Sequence, residues 1–356
     1  MNNERVGGGA TDIPKLHRGD QEVHSGGTAI EVFRRVIPKS YLVLVLVLLV
    51  IIAIGYMVTP QFLTARNATN VISYSSIIAI LAVGQFFVIL TGGIDLSVGA
   101  VLALSTVVSA LTLRAGLDAG LAASLTLIVC AGVGLGNGLL VVWLRIPSFI
   151  ATLATMSLVQ GVSYIIQSTS LIEIDNETFV KLFADGGIAG VHSPILIFLF
   201  VALAAGFVSR YTTFGRRLYA IGGNREAARL SGLPVSRDLL ITYTLSGLLA
   251  GLAGLLAAAQ LLQGSSLIGR GYELDAIAAV VVGGASLAGG KGNPISAVIG
   301  VFLLATIINI MNLAGISSEP QLVIKGAVII VAVFLSSSDG VARITSTVLK
   351  LRPAKA

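Results

Sequence analysis

Ionisable side chains are scarce where this chain is apolar, so the few near its apolar runs are the first candidates for chemistry. Asp95, Asp275 and Lys325 stand at the edges of such runs or inside them, and a charge at membrane depth is functional by default. Asp95 reads either as a capping and turn residue or as a group lining a pathway or its gate. Lys325 reads either as a functional charge or as an amine that snorkels to the nearby outer end of its helix. His17, His24 and His192 all fall outside the apolar runs, which argues against a histidine relay or a metal site within the membrane. The single cysteine, Cys130, excludes an intrachain disulfide and a cysteine-based metal cluster. Gly284–Gly292 has the outline of a phosphate loop and fails as one. That motif needs glycine six residues before its lysine and Ser or Thr directly after it, and around Lys291 those places hold Ala285 and Gly292. No cofactor or metal is expected on this chain, and any ATP spent with it is hydrolysed by another subunit.

Glycine supplies the next clue. In Thr91–Gly99 (TGGIDLSVG) the paired Gly92 and Gly93 interrupt two apolar runs, and Asp95 and Ser97 can cap the helix that follows. Val282–Gly290 (VGGASLAGG) is a shorter echo. Paired glycine-interrupted segments in the two halves of a membrane protein mark a repeat and a central pathway. Gly92, Gly93, Asp95, Ser97, Gly283, Gly284 and Ser286 are therefore the pathway or gate candidates. Gly132, Gly134, Gly136 and Gly138, like Gly247, Gly251 and Gly254, form small-residue stripes that let helix backbones approach closely. Ordinary helix packing accounts for them; helices that slide during a transport cycle are the alternative, and glycine alone does not decide.

The elements that must hold these residues follow from composition. Of 356 residues, 55% are hydrophobic and 11% charged, with 41 glycines and a mean hydropathy of +0.93. A soluble domain carries about 25% charged residues, so a soluble enzyme, a nucleic-acid-binding domain and a disordered protein are excluded. The net charge of +6 follows from basic loops, the usual topology signal of membrane proteins. Apolar runs without charge cover Ser40–Ala65, Asn67–Ile94, Leu96–Leu113, Ala119–Leu144, Ile146–Ile172, Gly186–Ser209, Leu239–Gly269 and Gly292–Ser318. The short Ala276–Gly290 and the Lys325-bearing Gln321–Ser336 are less secure. The runs are continuous rather than alternating, so they are helices. The expected fold is an all-α polytopic membrane protein with about ten transmembrane helices, eight or nine being the fallback.

With both termini cytoplasmic and ten helices alternating, 18 lysines and arginines lie inside, and only Arg66, Arg114, Lys181 and Arg270 lie outside. That asymmetry supports the orientation. Residues 1–40 read as a flexible cytoplasmic tail, 41–337 as the transmembrane domain and 338–356 as a basic cytoplasmic tail. The first apolar run is long enough to span and reads as a retained helix rather than a cleaved signal. The outer loop 173–192 is acidic. The inner loop 210–238 holds Asn224 as a helix N-cap, Arg225 and Arg229 on one helix face, and Gly232 as the stop. A helix this short is not stable alone, so it docks on something as well as serving as a basic topology signal.

Four segments place the chain beside a known family: Val88–Gly99 (VILTGGIDLSVG), Phe149–Met156 (FIATLATM), Thr213–Gly232 (TFGRRLYAIGGNREAARLSG) and Gly271–Gly292 (GYELDAIAAVVVGGASLAGGKG). On these segments the chain resembles the permease subunit of bacterial binding-protein-dependent ABC sugar importers of the ribose/xylose/arabinose/galactose group, from about Tyr41 to Leu335. The ribose type is nearest over Gly271–Gly292. The resemblance implies an inner-membrane, multi-pass protein that works as a pair of permease subunits, identical or related, around one pathway. It implies a periplasmic sugar-binding protein docked outside and an ATPase, the user of ATP and Mg, docked inside on Asn224–Gly232. It makes Gly215, Arg216, Gly222, Gly223, Asn224, Glu226, Ala227, Ala228, Arg229 and Gly232 the ATPase-coupling residues. The substrate it implies is a ribose-like pentose or related monosaccharide; the exact sugar is left open. An ion-coupled secondary transporter of a small polar solute is the competing reading, for which Asp95 and Asp275 are a thin supply of mid-membrane acids. An intramembrane enzyme would need a nucleophile and base or a metal cluster, and no such set is visible.

Overall fold

The computed structural model describes residues 39–168, 171–188 and 190–336. Residues 1–38 and 337–356, which hold all of the C-terminal stretch read above as a tail and most of the N-terminal one, lie outside the described residues. Helix α1 (Lys39–Val58) leads through one 3-10 turn (Pro60–Leu63) into α2 (Ala65–Leu90), whose first turn is capped by Thr64 accepting the Asn67 N–H. There follow α3 (Val98–Arg114), α4 (Ala119–Val142) and α5 (Ser148–Gln167). Asp118 caps α4 by accepting from the Gly120 and Leu121 N–H groups. The connection after α5 holds strand β1 (Ile172–Glu173), the single turn α6 (Glu177–Val180), a π-helical turn over Lys181–Asp185, and the hairpin β2 (Gly187–Ile188) and β3 (Val191–His192). Then come α7 (Ser193–Tyr211), α8 (Thr213–Gly223), α9 (Arg225–Leu230), α10 (Val235–Leu261), β4 (Gln263–Gly264), α11 (Tyr272–Val282), α12 (Pro294–Leu313) and α13 (Ser318–Ser336).

Six of these helices, α2, α4, α5, α7, α10 and α12, are long and apolar enough to cross a membrane; Leu44–Val58 and α3 are shorter apolar helices. The strands are two antiparallel pairs of two residues each, β1 with β4 and β2 with β3. The fold is helical, as its continuous apolar runs require. Its outward face is coated with large apolar side chains such as Ile165, Phe200 and Phe207. Contiguous apolar surface of this kind suits lipid rather than water.

The long α10 is the axis of the bundle and packs along α4, α3 and α2. Small residues permit that contact. A Cβ on Gly134 would run into the Tyr243 carbonyl oxygen, and one on Gly247 into the Cys130 carbonyl oxygen. Gly251 faces Cys130, and Gly254 faces Ser105; the Ser105 hydroxyl donates to the Gly251 carbonyl at 2.7 Å. Gly132 and Gly136, on the other side of α4, have no neighbour within 4 Å. The stripe is thus two-sided, and only Gly134 and Gly138 serve the α4–α10 contact.

The two ends of α10 meet different structures. At its C-terminal end β4 pairs with β1, and the Ile174 N–H donates to the Leu262 carbonyl at 2.9 Å. Phe179, buried and 5.1 Å from the Phe183 ring, seats the acidic loop 173–192 on that end. At its N-terminal end lie α8 and α9. The loops 173–192 and 210–238 therefore stand at opposite ends of one helix.

Candidate functional site

The break between α2 and α3 is organised by Asp95, which is 1% exposed. Its Oδ1 accepts from the Ser97 N–H at 2.9 Å and the Ser97 hydroxyl at 2.6 Å, and its Oδ2 accepts from the Ser246 hydroxyl of α10 at 2.8 Å. The Asn137 amide of α4 donates to the Ser97 oxygen at 2.8 Å. The buried Gln85 amide, oriented to satisfy both groups, donates to the Asp95 carbonyl at 3.0 Å and accepts its N–H at 3.2 Å. Beside it, Ile94 donates its N–H to Ser148 at 3.2 Å and Leu96 donates to Thr152 at 3.1 Å. The Asp95 N–H and carbonyl and the Ile94 and Leu96 N–H groups, freed by the helix break, thus each find a side chain from α2 or α5, as burial demands.

One detail of the sequence reading changes here, and the two glycines divide their roles. Ser97 does occupy the cap position of α3, but its hydroxyl makes no cap bond. The hydroxyl donates to the buried Asp95 carboxyl while its oxygen accepts from the Asn137 amide of α4. The left-handed backbone falls on Gly92 (φ +79°) rather than Gly93. Gly93 is required by space, because a Cβ there would lie 2.5 Å from the Tyr243 hydroxyl.

The second glycine segment comes back to the first. The Gly290 N–H donates to the Leu90 carbonyl at 2.9 Å. A Cβ on Gly289 (φ +88°) would stand 2.8 Å from the Gly92 nitrogen and 2.9 Å from the Gly222 oxygen. Gly283 abuts the Ser296 carbonyl, while Gly284 has open space about it and needs glycine for its φ of +88°. Ser286 is spent locally, accepting the Ala288 N–H. The structure therefore joins Gly92 with the Gly289–Gly290 turn and adds a third strand of backbone, Gly222–Gly223 at the end of α8.

The inner loop carries two helices where one was expected. The sequence reading missed α8 because Gly215, Gly222 and Gly223 are weak helix formers. Its signals were Thr212, which caps by accepting the Gly215 N–H at 3.1 Å, and the spacing of the buried Leu218 and Ile221. Arg217 of α8 forms a forked pair with the fully buried Asp238, Nε to Oδ2 2.6 Å and Nη2 to Oδ1 2.9 Å. Tyr219 donates its hydroxyl to the Gly292 carbonyl at 2.9 Å. In α9, Asn224 accepts the Ala227 N–H at 2.9 Å, as expected of an N-cap, and Gly232 ends the loop helix region with φ +78°. Arg229 donates to Glu226 across one turn, which holds the Glu226 carboxyl below the usual carboxylate range. Arg216 points outward. Ala227 is exposed, but Ala228 is 5% exposed and packs inward, so only Ala227 belongs to the free face of α9. At the far end of the bundle, Lys325 pairs with Asp275 at 2.8 Å.

Compared with known proteins, residues 67–333 match the family described as branched-chain amino acid transport system / permease component. The chain belongs to this permease family. It is 41% identical to the "Ribose import permease protein RbsC" of Escherichia coli (strain K12) over 310 residues, covering 85% of this chain and 97% of that protein. It is 41% identical to the protein of the same name from Bacillus subtilis (strain 168), covering 81% of this chain and 90% of that one. With the "L-arabinose transport system permease protein AraH" of Escherichia coli (strain K12) it shares 38% identity over 77% of this chain and 83% of that protein. No solved structure matches the chain.

As a member of this permease family, with six helices among the described residues long and apolar enough to cross a bilayer, the chain is a multi-pass inner-membrane transport subunit, not an enzyme. The sequence reading singled out the glycines and Asp95 of the permease but missed Gln85, Asn137, Thr152 and Ser246 around them. Lone amides inside apolar helices, such as Gln85 and Asn137, were the available signal, since polar groups at membrane depth are rarely idle.

Proposed function

We propose that this permease is the membrane-spanning subunit of an ATP-driven importer that carries a monosaccharide, a ribose-like pentose or related sugar, delivered by a periplasmic binding protein. The observation that carries the reading is the likeness to a ribose import permease at 41% identity over 97% of that protein's length. The family description speaks of branched-chain amino acids, whereas the relatives covering most of the chain are named for ribose, allose and arabinose. Sugar is therefore the better-supported cargo.

In this reading α1, α2, α3, α4, α5, α7, α10, α11, α12 and α13 make ten crossings, with both termini in the cytoplasm. The charge asymmetry of the loops supports it, as does the placement of 173–192 and 210–238 at opposite ends of α10. The exposed face of α9, with Arg225, Glu226, Ala227 and Arg229, receives a separate ATPase that binds ATP and Mg. Gly215 and Gly222 let α8 sit against backbone, so that a push on α9 reaches the glycine junction. The Asp95 node and its glycines act as the gate, and a second permease subunit, identical or related, completes the pathway.

The test is ATP-dependent uptake by the permease reconstituted with its ATPase and binding protein. Uptake of a monosaccharide that needs ATP and survives ionophores supports the reading. Uptake driven by an ion gradient with the permease alone would establish a secondary transporter instead.

A further inference from the structure

A cavity of about 490 Å³ lies between α2, α11, α12 and α13, away from the Asp95 node and the glycine junction. It falls within the roughly 300–1,000 Å³ range of small-molecule sites. Its polar walls come from one end of the bundle: Asn67 and Asn70 near the start of α2, Tyr272 and Asp275 near the start of α11, Asn309 near the end of α12 and Lys325 in α13. This is the end opposite Leu90 and Gly290, where α8 packs. In the proposed orientation the cavity is therefore on the outer side, where a delivered solute arrives.

The chemistry of the walls selects among ligands. Lys325 Nζ lies 2.8 Å and 3.0 Å from the two oxygens of Asp275. The pair cancels itself, so the cavity offers no free charge to a phosphate or a carboxylate. Asn67 and Asn309 bond each other through both amides, at 3.0 Å each way, and hold α2 to α12. Asn309 keeps one amide N–H unused among the described residues. Asn70 and Tyr272 line the same space, and among the described residues their side chains make no hydrogen bond. Tyr74, Ser75, Asn312 and Gln321 also line it, Gln321 donating to Asn312 at 2.7 Å, and the rest of the wall is mainly aliphatic. Uncharged donors and acceptors around an apolar floor fit a neutral ligand with several hydroxyl groups and apolar ring faces.

We propose that this cavity is the receiving site for the monosaccharide on its way into the pathway. Asn70 and Tyr272 bond its hydroxyls, and the Asp275–Lys325 pair fixes α11 against α13 to shape the pocket. This rests on the sugar-importer reading and adds the residues that meet the cargo.

The full-length permease in lipid nanodiscs is titrated with D-ribose, D-allose and L-arabinose by saturation-transfer NMR, and uptake of the same sugars is measured in the reconstituted complex. Asn70→Leu and Tyr272→Phe are each expected to weaken sugar binding about fivefold to tenfold, the effect of one lost hydrogen bond. They are expected to change the ranking of the three sugars in uptake, with thermal unfolding unchanged. If both variants bind and import all three sugars as the wild type does, the cavity is not the receiving site. Loss of a co-purifying phospholipid from the variants, with sugar binding intact, would make it a lipid site and overturn the proposal. If the wild-type complex imports no monosaccharide at all, the sugar-importer reading itself has failed, an outcome distinguishable from the other two.

Discussion

Gly290 donates its N–H to the Leu90 carbonyl at 2.9 Å, and Gly222 is wedged against both residues. Three segments far apart in sequence, the end of α2, the end of α8 and the turn before α12, meet at this point through backbone alone. A side chain cannot be inserted without moving one of them. The end of α8 thus touches the helix break that leads to Asp95.

Gly222→Val is expected to destabilise the permease by about 3 kcal/mol, at the upper end of the overpacking range, and to abolish uptake. Gly223→Ala, one residue on, meets open space and is expected to leave unfolding temperature and uptake near wild type. Comparable losses from both would mean that the junction tolerates no helix-end change at all, and that contact with Leu90 is not the reason.

Arg217 and Asp238 offer a second contrast. Asp238 is fully buried, and removing one partner of a buried pair costs about 3–5 kcal/mol because the other charge is left uncompensated. Arg217→Met is expected to lower stability by that amount in thermal unfolding, while Arg217→Met with Asp238→Leu recovers most of it. A double variant no better than the single one would show that the fork itself, rather than the stranded charge, holds α8 to α10.

How far these relationships were legible follows from where each signal lies. The apolar runs specify helices because lipid leaves the backbone no other way to bond, and Asn224 announces α9 by a local capping preference. Asp95 was visible as an acid in an apolar chain, but Ser246 lies 151 positions away, and no local pattern links the two. Lys325 read either as a functional charge or as a snorkelling amine, because its partner, Asp275, is 50 positions off. Gly222 stood among the coupling residues only by resemblance; its need for space comes from Leu90 and Gly290, which only the fold brings near. Short-range chemistry was readable, and long-range pairing was not.

At the gate candidate, Asp95→Asn is expected to reduce uptake only modestly, since its amide oxygen can keep accepting from Ser97 and the Ser246 hydroxyl can turn to accept from the new NH2 group. Asp95→Leu strands the Ser97 N–H and the Ser246 hydroxyl, at about 1–3 kcal/mol for each buried group left unpaired, and thermal unfolding should register the loss. Gly93→Leu is expected to nearly abolish uptake while the protein still inserts, because its Cβ meets the Tyr243 hydroxyl. Normal uptake by Gly93→Leu would remove this break from the gate.

Topology is checked by cysteine labelling. Cys130 is buried, so Cys130→Ala gives a silent background. Asp175→Cys is expected to react with an impermeant reagent from the periplasm, and Arg225→Cys only after the membrane is opened. Equal labelling of both from outside would contradict the proposed orientation.

The last expectation concerns α9, a six-residue helix too short to be stable by itself. Its fold is secured by the Asn224 cap and by Ala228, which packs inward at 5% exposure. Ala227 instead faces out beside the Glu226–Arg229 pair, so the two neighbouring alanines separate folding from docking. Ala228→Arg should disrupt the loop and lower the unfolding temperature. Ala227→Arg should leave unfolding unchanged and clash only when a partner covers this face, where overpacking costs about 1–3 kcal/mol. Co-purification of the ATPase and sugar uptake should then fall together, with docking of the binding protein at the opposite end of the bundle unaffected. If Ala227→Arg retains its ATPase and imports at the wild-type rate, the exposed face of α9 is a topology signal and the docking surface lies elsewhere.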